Sequence, residues 1–80
     1  MRARIHILPK IGVLDPQGKA IEHALGVLGF VGIGRVSQGK VIDLELAETD
    51  PIRARATAQR MCESVLANSV VETFSIELKP

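Results

Sequence analysis

The stretch VIDLEL at residues 41–46, followed by Asp50 and Pro51, decides the fold class. Apolar and polar side chains alternate along it, which is the period of a β-strand with one buried face. Ile42 and every second residue after it therefore face inward. Asp50 and Pro51 predict a helix start, because aspartate accepts hydrogen bonds from the free amides of the first turn and proline fits the first helical position.

The same succession of strand and helix occurs earlier in the chain. Residues 3–8 alternate, and Asp15 and Pro16 follow after a short break. Both Asp-Pro pairs are therefore predicted to be structural helix caps. After the first pair, apolar residues recur with the spacing of an amphipathic helix, at Ile21, Ala24, Leu25 and Leu28. Gly29 suits the end of this helix, since glycine readily adopts the left-handed conformation found there.

A further strand is expected between the first helix and the strand at 41–47. Residues 33–37 are predicted to pair with that strand as a hairpin. Gln38 and Gly39 would form the tight turn, because glycine accepts the positive φ that such turns require.

The C-terminal half repeats the strand, helix, strand pattern. The second helix is predicted to carry an apolar face that includes Cys62 and Val65, and the last strand to begin at Val70. The order β-α-β-β-α-β predicts a ferredoxin-like α+β sandwich over a single domain, residues 1–80. Its antiparallel sheet would have four strands, with both helices on one face.

The other face of this predicted sheet has no element to cover it. A second copy of the chain or a larger partner could cover it, and the exposed edge strands offer another route to association. The side chains expected on this face are Arg4, His6, Val41, Asp43 and Glu45.

Composition excludes several classes of function. The net charge is +1 over 80 residues, and no charge run predicts binding to nucleic acid or a membrane surface. The single cysteine, Cys62, excludes an intramolecular disulfide and a cysteine metal cage. Its place on an apolar helix face predicts a buried structural thiol. Because no secretion signal or membrane span is evident either, we expect a cytoplasmic protein.

The most tempting nucleotide-binding motif is weak. Gly34, Gly39 and Lys40 have the spacing of a phosphate-binding P-loop, but Val41 stands where serine or threonine binds magnesium. A strand also follows where the P-loop needs a helix. The two histidines lack metal-ligand spacing. We therefore predict no catalytic residue, metal site or bound cofactor. Two classes remain open: an interaction subunit of a larger enzyme, and a small-ligand regulatory module of the ACT type, which shares this element order.

A resemblance to a known family separates these classes. KIGVLDPQG at residues 10–18 resembles the K-x-x-V-L-D-P-Q-G signature of the PurS family. Gly39 and Lys40 begin a stretch similar to the family's G-K-x-x-E-L region, with Asp43 in place of the usual glutamate. Residues 61–72 resemble its M-C-E-x-x-L-A-N-x-V-x-E stretch. The resemblance covers nearly the whole chain.

The resemblance implies a non-catalytic accessory subunit of phosphoribosylformylglycinamidine synthase, a glutamine-dependent C–N ligase of purine biosynthesis. A large PurL-type synthetase subunit would use ATP and Mg, and a PurQ-type glutaminase subunit would release ammonia. The small subunit would join them and support ammonia transfer, as a homodimer or possibly a tetramer, without nucleic acid or membrane.

The resemblance also implies which residues face a partner. Ser37 stands where the family often has arginine, and Arg35 lies two positions earlier. The predicted partner interface consists of Lys10, Leu14, Gln17, Gly18, Arg35, Gly39 and Lys40.

Overall fold

The computed structural model describes residues 1–80. Its elements, in chain order, are β1 (Arg2–Pro9), α1 (Pro16–Val27), β2 (Lys40–Glu45), α2 (Pro51–Met61) and β3 (Glu72–Lys79), with a π-helical turn at Cys62–Leu66 that continues α2. The strands form one antiparallel sheet in the order β2-β1-β3. The predicted α+β class is confirmed. No helix has both the length and the apolar character needed to cross a membrane.

The core lies where α2 packs on the central strand. Ile5 and Ile7 of β1 are fully buried there, together with Cys62. α2 contributes Ala54 and Ala58, whose small side chains let the helix approach the sheet closely. Only 8 of the 80 residues are buried, so most of the apolar surface of the chain lies outside this core.

Both predicted helix caps are confirmed. The Asp15 side chain accepts a hydrogen bond from the Gly18 amide at 3.0 Å, and the Asp50 side chain accepts one from the Ile52 amide at 3.0 Å. In both helices the proline that follows occupies the first turn. Each carboxylate therefore satisfies an amide that the helix itself leaves free.

One sheet face is uncovered, as predicted. Arg4 and Asp43 lie opposite each other on it and form an ion pair of 2.8 Å. His6 lies 3.4 Å from Glu77 of β3 on the same face. Both contacts are exposed to solvent, so each adds little to stability.

The predicted four-stranded sheet is wrong for the single chain, which has three strands. Residues 33–37 form no strand. The turn at Gln38 and Gly39 is absent as well, because the Gln38 amide donates to the Asp15 carboxylate at 3.0 Å. That bond holds the chain beside the start of α1 and directs it away from β2.

The predicted apolar face of the second helix needs one correction, at Val65. This side chain is exposed. The Ala67 amide donates to the Cys62 carbonyl at 3.0 Å, a π-type bond between residues five apart. Such a turn accommodates one extra residue, and Leu66 packs against the core instead.

The last strand also begins later than predicted. Val70 is exposed and lies outside β3, which starts at Glu72. The Glu72 carboxylate accepts a hydrogen bond from the Asn68 amide at 2.8 Å. Its other oxygen lies 3.7 Å from the Lys40 ammonium. These two contacts explain why a glutamate occupies the beginning of an otherwise apolar strand face.

Residues 11–38 project from the domain, and we name them the arm. The arm consists of α1 and a return segment, residues 28–38, that runs back beside it. The prediction that both helices cover one face of the sheet is wrong for the single chain, because only α2 packs there and α1 belongs to the arm. The molecule measures 48 Å along its longest axis and only 15 Å along its shortest. Large apolar side chains are exposed along the arm, among them Ile21, Val27, Leu28, Phe30, Val31 and Ile33.

Truncation of a buried and of an exposed isoleucine should affect stability very differently. Ile5→Ala empties a buried site, and we expect it to lower the free energy of unfolding by about 2–5 kcal/mol. Ile52 is 81% exposed, so Ile52→Ala should change it by less than about 0.5 kcal/mol. Urea unfolding followed by circular dichroism, at one protein concentration, measures both. Equal losses of unfolding free energy in the two variants would contradict the packing of α2 on β1.

Candidate functional site

The base of the arm is held by one carboxylate. Asp15 Oδ1 accepts from the Gly18 amide at 3.0 Å, and Asp15 Oδ2 accepts from the Gln38 amide at 3.0 Å. Asp15 therefore joins the start of α1 to the end of the return segment, and we name this pair of bonds the clamp. The Gly18 bond, followed by the Gln38 bond, lowers the pKa of Asp15 below its ordinary value of 3.8, because both bonds favour the ionised form.

Two glycines allow the backbones to meet at the clamp. A Cβ atom on Gly18 would lie 2.5 Å from the Val36 carbonyl oxygen. A Cβ atom on Gly39 would overlap the Ile7 carbonyl. Close packing accounts for both glycines, whose predicted contact with a partner stays a prediction.

A shallow groove of about 430 Å³ lies beside the clamp. Ile11 and Leu14 line it and are 90% and 81% exposed. Arg35 lines it too, and its guanidinium donates to the Lys10 carbonyl at 3.4 Å. Neither Arg35 nor Lys10 forms an ion pair within the chain. An apolar surface with unpaired cations suits a partner segment that carries both apolar and acidic side chains.

The structure brings most of the predicted interface residues to this end of the molecule. Leu14 and Arg35 line the groove and Lys10 lies next to it. Gln17 is exposed in the first turn of α1. Lys40 lies at the start of β2, where its ammonium is paired with Glu72.

The sequence interpretation missed Ile11 and Lys19, which also line the groove. Ile11 sits in a loop between two recognisable elements, where periodicity carries no information. The sequence offered one signal for Ile11. It is an apolar residue in a predicted turn, between Lys10 and Gly12, where its side chain cannot be buried.

The single thiol of the chain belongs to the hydrophobic core. Cys62 is fully buried, as predicted, and burial raises the pKa of its thiol, with a smaller contribution from Glu63. A thiol in these surroundings is not a nucleophile. No group of three or more histidine, cysteine, aspartate or glutamate side chains is placed to hold a metal ion.

Comparison with known proteins agrees with this description. The family model described as PurS, phosphoribosylformylglycinamidine (FGAM) synthase, matches residues 2–80. The chain belongs to the PurS family. This membership decides between the two function classes left open by the residues alone, and the ACT-type alternative falls away.

Individual PurS proteins are similar over nearly the whole chain. The phosphoribosylformylglycinamidine synthase subunit PurS of Mycobacterium leprae is 44% identical over 94% of this chain and 91% of that protein. The crystal structure of Methanocaldococcus jannaschii PurS, one of the subunits of formylglycinamide ribonucleotide amidotransferase, is 34% identical. Its TM-score is 0.81, and the match covers 95% of this chain and 92% of that one.

A structure of an assembly also contains a similar chain. The structure of PurLQS from Thermotoga maritima matches with a TM-score of 0.84 and 28% identity, over 95% of this chain and 93% of that one. This chain therefore shares its overall fold with solved PurS structures.

The clamp predicts a pH-dependent difference between wild type and Asp15→Asn. The variant keeps a capping oxygen for Gly18 but loses the acceptor for Gln38, so it should be less stable at neutral pH. A lowered pKa stabilises the fold above the ordinary aspartate pKa, and this contribution is lost as pH falls through the folded value. The difference in unfolding free energy between the two proteins should therefore narrow as pH falls through and below the ordinary aspartate pKa.

Urea unfolding at a series of pH values measures this gap. Asp43, whose pKa is also lowered, chiefly by the hydrogen bond from Arg4, is present in both proteins and cancels in the difference. Asp50→Asn is the matched control, because Asp50 caps only its own helix. If the difference in unfolding free energy between wild type and Asp15→Asn does not change with pH, the charge of Asp15 has no role in the clamp.

Proposed function

We propose that this chain is the non-catalytic accessory subunit of the ATP- and glutamine-dependent phosphoribosylformylglycinamidine synthase of purine biosynthesis. The family match over residues 2–80 carries this proposal. The surroundings of its side chains support it as well, because the exposed groove offers apolar and cationic contact surface and the one thiol is buried.

The proposed partners are a PurL-type synthetase subunit and a PurQ-type glutaminase subunit, by analogy with the PurLQS structure to which this chain is similar. In the proposed assembly the synthetase subunit uses ATP and Mg, and the glutaminase subunit releases ammonia. This chain itself binds no cofactor. Ammonia reacts only while it is unprotonated and is lost if it reaches bulk water. A small subunit that joins the two larger ones supports its transfer by holding the two sites together.

The groove at the base of the arm is the proposed contact with a larger subunit. Ile11 and Leu14 supply apolar area, and Lys10 and Arg35 supply positive charge without forming a salt bridge inside the chain. Gln17, Gly18, Gly39 and Lys40 surround the same end of the molecule and complete the proposed interface.

We further propose that residues 1–80 act as one PurS-like domain that forms a homodimer and possibly a tetramer. The small core supports this, because a domain with so few buried residues gains stability from association. We retain the four-stranded ferredoxin-like sheet as a proposal for the homodimer or tetramer, and not for the single chain. We assign the assembly to the cytoplasm, where reducing conditions suit the single unpaired Cys62.

Reconstitution tests the assembly role. The chain is mixed with the matching synthetase and glutaminase, and formylglycinamidine production is measured with each component omitted in turn. We expect glutamine-dependent activity only with all three proteins. Activity supported by added ammonia should survive without this chain, because the synthetase chemistry does not need it. Unchanged glutamine-dependent activity on omission would overturn the proposal.

Charge reversal tests the groove. Lys10→Glu should weaken assembly with the larger subunits by roughly tenfold, about 1.4 kcal/mol, and leave the circular dichroism spectrum unchanged. Lys40→Glu should also weaken assembly, but it breaks the ion pair with Glu72 as well. Arg60→Glu on α2, away from the arm, is the matched control. Equal binding by Lys10→Glu and Arg60→Glu, measured by sedimentation, would remove the groove from the interface.

A further inference from the structure

The loop that leads into β3 is fixed by hydrogen bonds. It consists of residues 67–71, and we name it the entry loop. The Asn68 carbonyl accepts from the Val71 and Glu72 amides at 3.1 and 2.7 Å, and Asn68 Oδ1 accepts from the Val70 amide at 3.1 Å. The Asn68 amide in turn donates to the Glu72 carboxylate at 2.8 Å. The backbone of the entry loop is therefore ordered before any partner binds.

This ordered loop displays an apolar side chain to solvent. Val70 is 77% exposed, although the bonds of the loop leave its side chain no part in the fold. A lone apolar side chain on a surface is ordinary, whereas several together mark a contact site. The neighbours of the entry loop therefore decide what Val70 means.

Lys10 joins the entry loop to the groove. Its amide donates to the Val71 carbonyl at 2.8 Å, and its carbonyl accepts from the Arg35 guanidinium at 3.4 Å. Arg35 lines the groove together with the exposed Ile11 and Leu14. The entry loop and the groove thus lie on opposite sides of one residue and form a continuous surface at this end of the molecule.

The charge of this surface indicates the chemistry of its partner. Lys19 and Lys40 are paired with glutamates at 3.6 and 3.7 Å, whereas Lys10 and Arg35 form no salt bridge within the chain. A second copy that met this end with its own same end would place the cations of both chains together, which is unfavourable. Acidic side chains on a different protein complement them.

We propose that the entry loop is a second contact for the larger subunit that occupies the groove. Val70 packs on an apolar side chain of that subunit, and acidic side chains of the same subunit pair with Lys10 and Arg35. Because the loop is already ordered, little conformational entropy is lost when Val70 is buried. The inference rests on the proposed accessory function and extends its interface from the arm to the start of β3.

Two exposed valines provide a matched test. Val65 is 78% exposed, as much as Val70, but it lies with Thr57 and Arg60 on the outer side of α2 and the π-helical turn. The full chain is titrated into the matching synthetase and glutaminase, and the concentration that gives half-maximal glutamine-dependent activity is measured. Val70→Asp should raise this concentration about tenfold. Val65→Asp should leave it unchanged, and equal effects at the two positions overturn the proposal.

A change of sign at the same position tests the acidic character of the partner. Val70→Lys loses the same apolar contact as Val70→Asp, but its charge attracts acidic side chains on the partner instead of repelling them. We therefore expect Val70→Lys to raise the half-maximal concentration less than Val70→Asp does. Equal or larger effects of Val70→Lys overturn the assignment of an acidic partner surface.

Hydroxyl-radical labelling of the wild-type chain gives an answer even if a variant fails to fold. Mass spectrometry measures the oxidation of Val70 and Val65 in the chain alone and in the assembly with both larger subunits. Val70 should lose reactivity on assembly, while Val65 keeps it. Unchanged reactivity of Val70 overturns the proposal. Protection of Val70 already present in the chain alone also overturns it, because a second copy is then the occupant.

These outcomes are separate from a failure of the accessory role. If omission of this chain leaves glutamine-dependent activity unchanged, the proposed function itself is overturned. If activity requires the chain but tolerates Val70→Asp as well as Val65→Asp, only the contact through the entry loop is lost and the accessory role stands.

Discussion

Two hydrogen bonds to the Asp15 carboxylate govern the shape of this molecule. One bond caps α1 in the ordinary way, and the other reaches the Gln38 amide, 23 residues further along the chain. The second bond makes residues 11–38 a projecting arm and leaves the outer edge of β2 open. It also brings Arg35 beside Leu14, which creates the groove. The same signature residues thus set the direction of the arm and the position of the candidate interface.

The core sets a second constraint. α2 meets the sheet through alanines and Cys62, so the layers lie close together but enclose little volume. Apolar side chains of the arm cannot reach this core, because the clamp directs them away from it. A chain built in this way leaves apolar surface uncovered, and such surface on a small domain is typical of a protein that works in association.

The chemistry of the molecule agrees with that conclusion. The carboxylates with lowered pKa, Asp15 and Asp43, are each occupied by hydrogen bonds within the chain. The single thiol is enclosed by the core. What the surface does offer is an apolar groove with unpaired cations, a strand edge and a solvated sheet face. These are contact features, and they suit the accessory role proposed for this PurS-family protein.

The sequence by itself determined the features that depend on near neighbours. Alternation along residues 41–46 predicted a strand, and the two Asp-Pro pairs predicted two helix starts, because strand periodicity and capping act within a few residues. The KIGVLDPQG signature at residues 10–18 also identified the family and pointed to Lys10 and Leu14 at the groove. Tertiary structure decided the rest. Residues 33–37 have the pattern of a strand, yet Gln38 bonds to a distant carboxylate and the hairpin cannot form. Ile11 became part of the groove for the same reason: long-range backbone bonds set the path of a loop, and these bonds leave no periodic trace in the sequence.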